Sequence, residues 1–406
     1  MTEVRAELRG NNLDLVRRRN LSLILGRVHA LGAVSRAQLT RETGLNRSTI
    51  AALVGELVQL GLVLETEPDQ TNLVGRPSPV IVPSDRTVAI TVNPEIDAVS
   101  IGLVALGGRV ISQTRHDTTH VPSAREVVDI TSAAIGAMRG ELESTYRTVG
   151  IGLAIPGLVR ADDQLVTLAP HLEWHNEPVG DMLRAATGYD VVAGNDASLG
   201  AIAESMRGAG RGIDDLVYLN GGASGIGGGI IAGGVLLGGT SGYAGEIGHT
   251  LVNSSGVACH CGAVGCLETE VSRRPLLDVL GLDRPELLEA ALLERYSAGD
   301  AAVVELVDRQ TGYLARALAN TVNVFNPRLI VLGGFLGSLY AAAPEALSGA
   351  VSSLAMVGPR SEVQLVRATL GNAILTVGAA EIAFAPLIAD PASSAVSDKD
   401  AVSASL

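Results

Sequence analysis

Every cysteine in this chain of 406 residues lies in one octapeptide, CHCGAVGC, as Cys259, Cys261 and Cys266. His249 stands ten residues before the first of them. Three thiols at spacings of two and five, on short glycine turns and with an imidazole nearby, make four soft-to-borderline donors that suit tetrahedral zinc. Four ligands tie separate stretches of chain to one point, and no other feature restricts the fold as tightly. A closed set without an open position implies a structural ion that cannot activate water. The competing readings are a redox pair, for which CxC is an unusual spacing, and three unpaired thiols. His260, between the ligands, is expected to point to solvent. The odd cysteine count and the lack of a signal peptide at Met1 point to a cytoplasmic protein rather than a secreted disulfide scaffold.

The chain exceeds what one hydrophobic core can organise, so two or three domains are expected. Its 48 glycines, 3% aromatic and 18% charged residues suit an α/β protein with many tight strand-to-helix turns. The thirty residues from Leu216 to Gly245 carry no charge and are long enough to span a bilayer, but twelve of them are glycine. Each glycine costs about 1 kcal/mol in a helix relative to alanine, so a loop-rich core is expected there and no membrane span. The net charge of −13 argues against nucleic acid until its distribution is considered. Residues 1 to 60 hold nine arginines against five acids, an excess of four positive charges, which leaves −17 on the remainder. A basic head on an acidic body suggests two jobs in one chain.

In the head, Leu21, Ile24, Leu25 and Val28 recur at helical spacing, and Ser35 with Gln38 forms a capping-box pattern for a second helix. Gly44 allows a sharp turn, Asn46 can cap the next helix, and Ile50, Leu53, Val54, Leu57 and Leu60 give that helix one apolar face. This is helix, short turn, helix. Arg36, Asn46, Arg47, Ser48 and Thr49 are the residue types that reach phosphates and base edges from such a position. The β-like runs of GLVLETEPDQTNLVGRPSPVIVP then read as a wing, whose Arg76, in the stiff tripeptide GRP, could enter a narrow minor groove. The alternative is a three-helix subdomain for protein contacts only.

From Thr87 onward strand-like runs alternate with helical ones, the pattern of an α/β fold. VVAGNDASLGAIAE runs from strand to helix through Asn195 and Asp196, placing an amide and a carboxylate at a strand's carboxyl end, where α/β proteins bind ligands. The plainer reading of Asp196 is a helix cap beside Asn195. In SGIGGGIIAGG, Gly225, Gly227, Gly228 and Gly229 could let backbone N–H groups approach a phosphate or a sugar hydroxyl, or could serve close packing of a hairpin. The terminal DPASSAVSDKDAVSASL, within 389–406, is expected to be disordered.

GIGGGI with AGEIGH downstream, the CxCGxxGCxE cluster, GND before a helix, IPG, and NVFNPRLIVLGG at Asn323 to Gly334 resemble the ROK family of repressors, open reading frames and sugar kinases along nearly the whole chain. The resemblance implies an α/β protein: a winged helix-turn-helix (1–83) followed by a two-lobed actin-like, ribonuclease H-like sugar-kinase-type body. The first lobe would cover 84–195, completed by about 373–388, and the second, with the zinc site, 196–372. His249, Cys259, Cys261 and Cys266 would hold a structural Zn2+ that braces a sugar-contacting loop. Asn195, Asp196, Glu246, His249 and Glu268 would contact the sugar. In the kinases the counterpart of Asp196 is the general base.

Phosphoryl transfer also needs ATP, and family kinases open the first lobe with a DxGxT-type loop. Here AITVNPEIDAVSIGLV has no glycine turn between Ala89 and Ala98, Thr91 stands for the acid, and Pro94 removes an N–H donor. Ala223 replaces a usual glycine in the second phosphate loop, and His171 in APHLEW replaces a usual Asn. The expected function is a sugar-responsive transcriptional regulator, of repressor type, binding double-stranded operator DNA and a sugar or sugar-phosphate effector as a homodimer or homotetramer. Asp196 is then a vestigial base. The alternatives are an active ATP-dependent sugar kinase and an interaction module with a vestigial pocket.

Overall fold

A computed structural model describes residues 2–67, 78–223 and 225–393. Its head contains α1 (Thr2–Leu31), β1 (Val34–Ser35), α2 (Arg36–Thr43), α3 (Arg47–Gln59), β2 (Val63–Thr66) and β3 (Val80–Pro83). The local chemistry sets these boundaries. Ser35 Oγ accepts from Gln38 N at 3.1 Å, Gly44 ends α2 at φ 71°, and Asn46 Oδ1 accepts from Thr49 N at 2.8 Å. Only half of the expected capping box forms, because Gln38 Nε2 donates to Glu42 Oε1 one turn onward at 2.9 Å. The strands pair antiparallel in the order β1-β3-β2, the wing of a winged helix. Arg76, expected in that wing, lies outside the described residues.

Lobe 1 follows with β4 (Thr87–Pro94), β5 (Ala98–Ala105), β6 (Val110–Asp117), α4 (Ala124–Thr145), β7 (Arg147–Ile155), a small sheet of β8 (Leu158–Val159), β9 (Val166–Ala169) and β10 (Trp174–Glu177), then α5 (Val179–Thr187) and β11 (Val191–Asn195). A complete capping box starts α4, with Ser123 and Glu126 exchanging side-chain and backbone bonds. Next comes α6 (Asp196–Arg207), which packs against both lobes.

Lobe 2 holds β12 (Leu216–Gly221), β13 (Ile226–Ala232), β14 (Val235–Leu236), α7 (Leu267–Glu270), α8 (Arg273–Leu280), α9 (Leu288–Ser297), α10 (Ala301–Phe325), β15 (Leu329–Gly333), α11 (Gly334–Ala342), α12 (Pro344–Leu354), α13 (Val357–Arg360) and β16 (Gln364–Arg367). The chain then returns to lobe 1 as α14 (Ile374–Ala389). The uncharged, glycine-rich stretch from Leu216 is thus a sheet and its loops. Among the described residues one helical stretch, Gly371–Ala389, is long and apolar enough to cross a membrane. In the fold α14 lies on β4, β7 and β11 and along α6.

Numbered in chain order within each lobe, the two five-stranded sheets share one strand order, 3-2-1-4-5. In both, strands 1, 2 and 3 pair antiparallel, while 4 joins 1 and 5 joins 4 in parallel. This duplication gives the two-lobed ribonuclease H-like body that the motifs imply. β4 and β5 are apolar and buried on both faces, since α14 covers one side of their sheet and α4 and α5 the other.

One core crosses a domain boundary. Leu21, Ile24, Leu25 and Val28 of α1 and Leu53 and Leu57 of α3 share a buried cluster with Leu106 of lobe 1 and Phe384 and Leu387 of α14. The head is therefore packed onto lobe 1 through the carboxyl-terminal helix.

Candidate functional site

The cysteine loop folds back on His249 at the edge of lobe 2. Cys259 Sγ lies 3.6 Å from His249 Nδ1, and Cys261 Sγ lies 3.7 Å from Cys266 Sγ. The four donor atoms all fall within 4.8 Å of one another. Zinc with bonds of about 2.3 Å to sulfur requires tetrahedral edges of about 3.8 Å, slightly less between sulfur and nitrogen; the Cys259–His249 and Cys261–Cys266 edges match this, and the remaining edges would need to close by no more than about 1 Å around an ion. Ala263 N–H helps hold the Cys261 thiol down to about 7. His249, His260 and Glu268 form a second close group. It competes for the same His249 nitrogen, and the three thiols are the better donors for zinc.

His249 can serve metal and ligand at once because its two nitrogens diverge. Nδ1 faces the sulfurs, while Nε2 lies 3.9 Å from Glu246 Oε2 on the cavity side. That cavity, of about 390 Å³, lies between the lobes and is lined by Asn195, Asp196, Glu246, His249 and Glu268, so all five expected sugar contacts meet in one place. Glu268 comes from α7, immediately after Cys266, so the cysteine loop also fixes this carboxylate.

The adjacent Asn195 and Asp196 differ in role. Asn195 caps α6, its Oδ1 accepting from Ser198 N and its Nδ2 donating to Gly157 O, both at 3.0 Å. The cap proposed for Asp196 thus belongs to Asn195. Asp196 Oδ1 accepts from Ala197 N at 2.8 Å, leaving the other oxygen for the cavity. Burial, with the nearby Glu246 carboxylate adding to it, pushes Asp196 up to about 6. Burial and Glu268 likewise raise Glu246. Three carboxylates around a small cavity are matched to hydroxyl donors, which each can accept in pairs.

Two histidines complete the wall. His260 was expected in solvent; although half-exposed, it faces the cavity, with Nδ1 3.2 Å from Glu268 Oε1. Its ring meets His171, from the turn after β9, edge-on at 6.2 Å, so lobe 1 touches the cysteine loop across the cleft. The glycine motif divides in two. Gly225 borders the cavity beside Glu268. A Cβ on Gly227 or Gly229 would fall 2.6 or 2.5 Å from Ala197 or Ala201 of α6, so these glycines permit close helix packing, the plainer of the two readings, although Gly227 also borders the cavity.

The turn that stands in place of a DxGxT-type loop carries an exposed acidic cluster gathered on Arg115. Between β4 and β5, Glu95 N donates to Ala98 O at 2.7 Å and Glu95 Oε1 accepts from Ser100 Oγ at 2.8 Å. Arg115 of β6 pairs with Glu95, Asp97 and Asp117 at 2.7 to 2.9 Å. A phosphate there would have to compete with three carboxylates for Arg115, without the free N–H groups of a glycine turn.

On the head, Arg47 and Ser48 are exposed in the first turn of α3, while Asn46 Oδ1 is occupied by Thr49 N and Ser48 Oγ. Arg36 is drawn to the wing, its Nη2 2.7 Å from Glu65 Oε2. Arg17, Arg18 and Arg27 are paired with Glu56, Asp14, Asp390 and Glu42. Exposed Arg41, at the end of α2, makes no ion pair among the described residues and is a basic group that spacing alone did not single out.

Comparison with known proteins follows the same outline. Residues 84–385 match the model of the ROK family. A xylose repressor of Caldicellulosiruptor bescii is 28% identical over 351 residues, 81% of this chain and 87% of its own length. A glucokinase of Thermotoga maritima is 32% identical over 251 residues, 58% of this chain and 78% of its own. A solved ROK family transcriptional regulator, described as a homologue of the E. coli MLC protein, superposes with a TM-score of 0.76 at 25% identity, covering 92% of this chain and 97% of its own.

Proposed function

Because the chain belongs to the ROK family, we propose that it is a sugar-responsive transcriptional regulator of repressor type, with a carbohydrate effector in the interlobe cavity and operator DNA at the head. One observation carries this reading. The likeness to a regulator extends over 92% of the chain, well beyond the body that residues 84–385 delimit, and so takes in the winged head. Arg41, Arg47 and Ser48 would meet double-stranded DNA from the end of α2 and the start of α3. Asp196, Glu246, His249 and Glu268 would bind the hydroxyls of a sugar or sugar phosphate, and Asn195 would hold the strand-to-helix turn that presents them.

Bound zinc would supply a fixed tetrahedral anchor. His249, Cys259, Cys261 and Cys266 would hold it, and through them the loop keeps His249 Nε2 and Glu268 aimed into the cavity. Effector binding acts by linkage. A sugar that favours one arrangement of the lobes, and with it one placement of two heads on half-sites about a helical turn apart, lowers operator affinity by its preference between the arrangements. Couplings of this kind run to about 5- to 150-fold. The two-headed geometry needs a homodimer or a homotetramer, acting in the cytoplasm where its DNA is.

A sugar kinase is the second reading. It is favoured by Asp196, a base near neutrality in a sugar-sized cavity, and disfavoured by the acidic, glycine-free turn at Glu95. Both are tested in one preparation: operator fragments selected from random DNA, titrated with and without pentoses, hexoses and N-acetylhexosamines, alongside ADP release with the same sugars. Sugar-dependent operator release without ADP supports the regulator. ADP release at an ordinary enzymatic rate, lost in Asp196→Asn, supports the kinase.

A further inference from the structure

We infer that α6 carries the effector signal from the cavity to the DNA-binding head, and that Arg207, its last residue, is the positioning residue that delivers it. This deepens the proposed reading and rests on it. The helix starts at the cavity, where Asp196 is its first residue, and runs twelve residues, roughly 18 Å, to Arg207.

Both flanks of the rod are keyed by absent side chains. On the lobe 2 flank, Gly227 and Gly229 of β13 let the sheet approach to within a Cβ of Ala197 and Ala201. On the lobe 1 flank a Cβ on Gly378 of α14 would fall 2.3 Å from Leu199 O, so these two helices meet backbone to backbone. Neither neighbour can slide without moving α6, because close-packed interiors transmit displacement instead of absorbing it. Glu204 adds a third hold, accepting from Thr369 N and Leu370 N at 2.8 and 2.9 Å in the segment before α14.

At the far end the guanidinium of Arg207 grips the head. Nη1 donates to His29 O at 2.7 Å and Ala30 O at 3.2 Å, two unpaired carbonyls at the end of α1, and Nε donates to Glu381 Oε1 at 2.9 Å. Glu381 Oε2 in turn lies 2.6 Å from His29 Nε2. His29 Nδ1 accepts from Gly107 N at 2.9 Å, which places the ring proton on Nε2, toward Glu381. His29 and Glu381 are fully buried. One donor of Arg207, Nη2, is buried with no partner among the described residues, so the present arrangement leaves a donor that a shifted one could satisfy. The recognition helix α3 packs on α1, and a displacement of α1 therefore becomes a displacement of Arg47.

The test uses the full chain, selected operator fragments, and the sugar panel above. In the wild type the operator dissociation constant should rise about 5- to 150-fold with a responding sugar, and operator DNA should weaken sugar binding by the same factor. R207M/E381Q removes the grip on α1 yet leaves an acceptor for His29 and no unpaired buried charge. It should bind the sugar within about 3-fold of wild type while the coupling ratio falls below about 2-fold. A variant that folds and keeps the full ratio overturns the inference. Hydrogen exchange on the wild type gives a second readout that no folding defect can confound. Sugar should change protection in residues 29–36, and an unchanged profile there, with operator release intact, also overturns it. If no sugar alters wild-type operator affinity, the functional reading fails first and takes the inference with it.

Discussion

Asp196→Asn should make the ligand-free protein more stable at neutral pH while weakening its hold on sugar. The side chain is raised from its ordinary 3.8 to about 6, mainly by burial and then by Glu246. Between those values the folded state holds a proton that the unfolded chain releases, so stability falls as pH rises through that window, and above about pH 6 the loss is complete. A shift of about two units at about 1.4 kcal/mol each corresponds to about 3 kcal/mol against the folded state at pH 7, and to about 1 kcal/mol at pH 4.5. Asparagine carries no such charge. Urea unfolding of both proteins from pH 4.5 to 7 should show the variant more stable, by a margin that widens with pH toward the larger figure. A wild type as stable as the variant at pH 7, or a margin that does not grow, would refute the argument that the cavity holds this carboxylate at a cost. Sugar titration supplies the other half, since the ionised oxygen left free of Ala197 is the one a hydroxyl would use.

Arg47→Ala should reduce the salt dependence of operator binding by about one ion and relax base preference, whereas Arg36→Ala should leave the slope unchanged because Glu65 already occupies it; equal slopes for the two variants would contradict the assignment. Cys261→Ser should lower bound zinc measured by elemental analysis and abolish the thermal shift given by sugar, with ligand-free operator affinity retained. Full metal content in that variant would remove the proposed ligand set.

Much of this site could be read from spacing. The thiols and His249 stand close in the chain, and local proximity plus donor chemistry fixed their meeting. Asn46 and Ser35 marked helix starts because a cap acts over three residues. One miss was local: Gln38 can reach back to Ser35 N or on to Glu42, each about a turn away, and spacing does not choose between them. The other misses were non-local. The equality of strand order between the lobes leaves no trace in composition, since β6 is a polar edge and β14 only two residues long. Gly227 and Gly229 carry the same letters as phosphate-binding glycines, and the closeness of α6 could not be inferred from them. The sequence around His260 suggests solvent, because His171, which meets its ring, comes from the other lobe. The Arg207–Glu381–His29 group joins three segments 174 or more residues apart, beyond any periodicity.

The core shared by α1, α3 and α14 has a practical consequence for building hybrids. A new head joined at residue 83 would meet the foreign surface of Phe384 and Leu387 and lose the mate that completes its interior. Exchanging DNA specificity between relatives therefore calls for two grafts, one at each end of the chain. Alternatively, the recipient's buried face can be kept and only the outward residues of α2 and α3 rewritten.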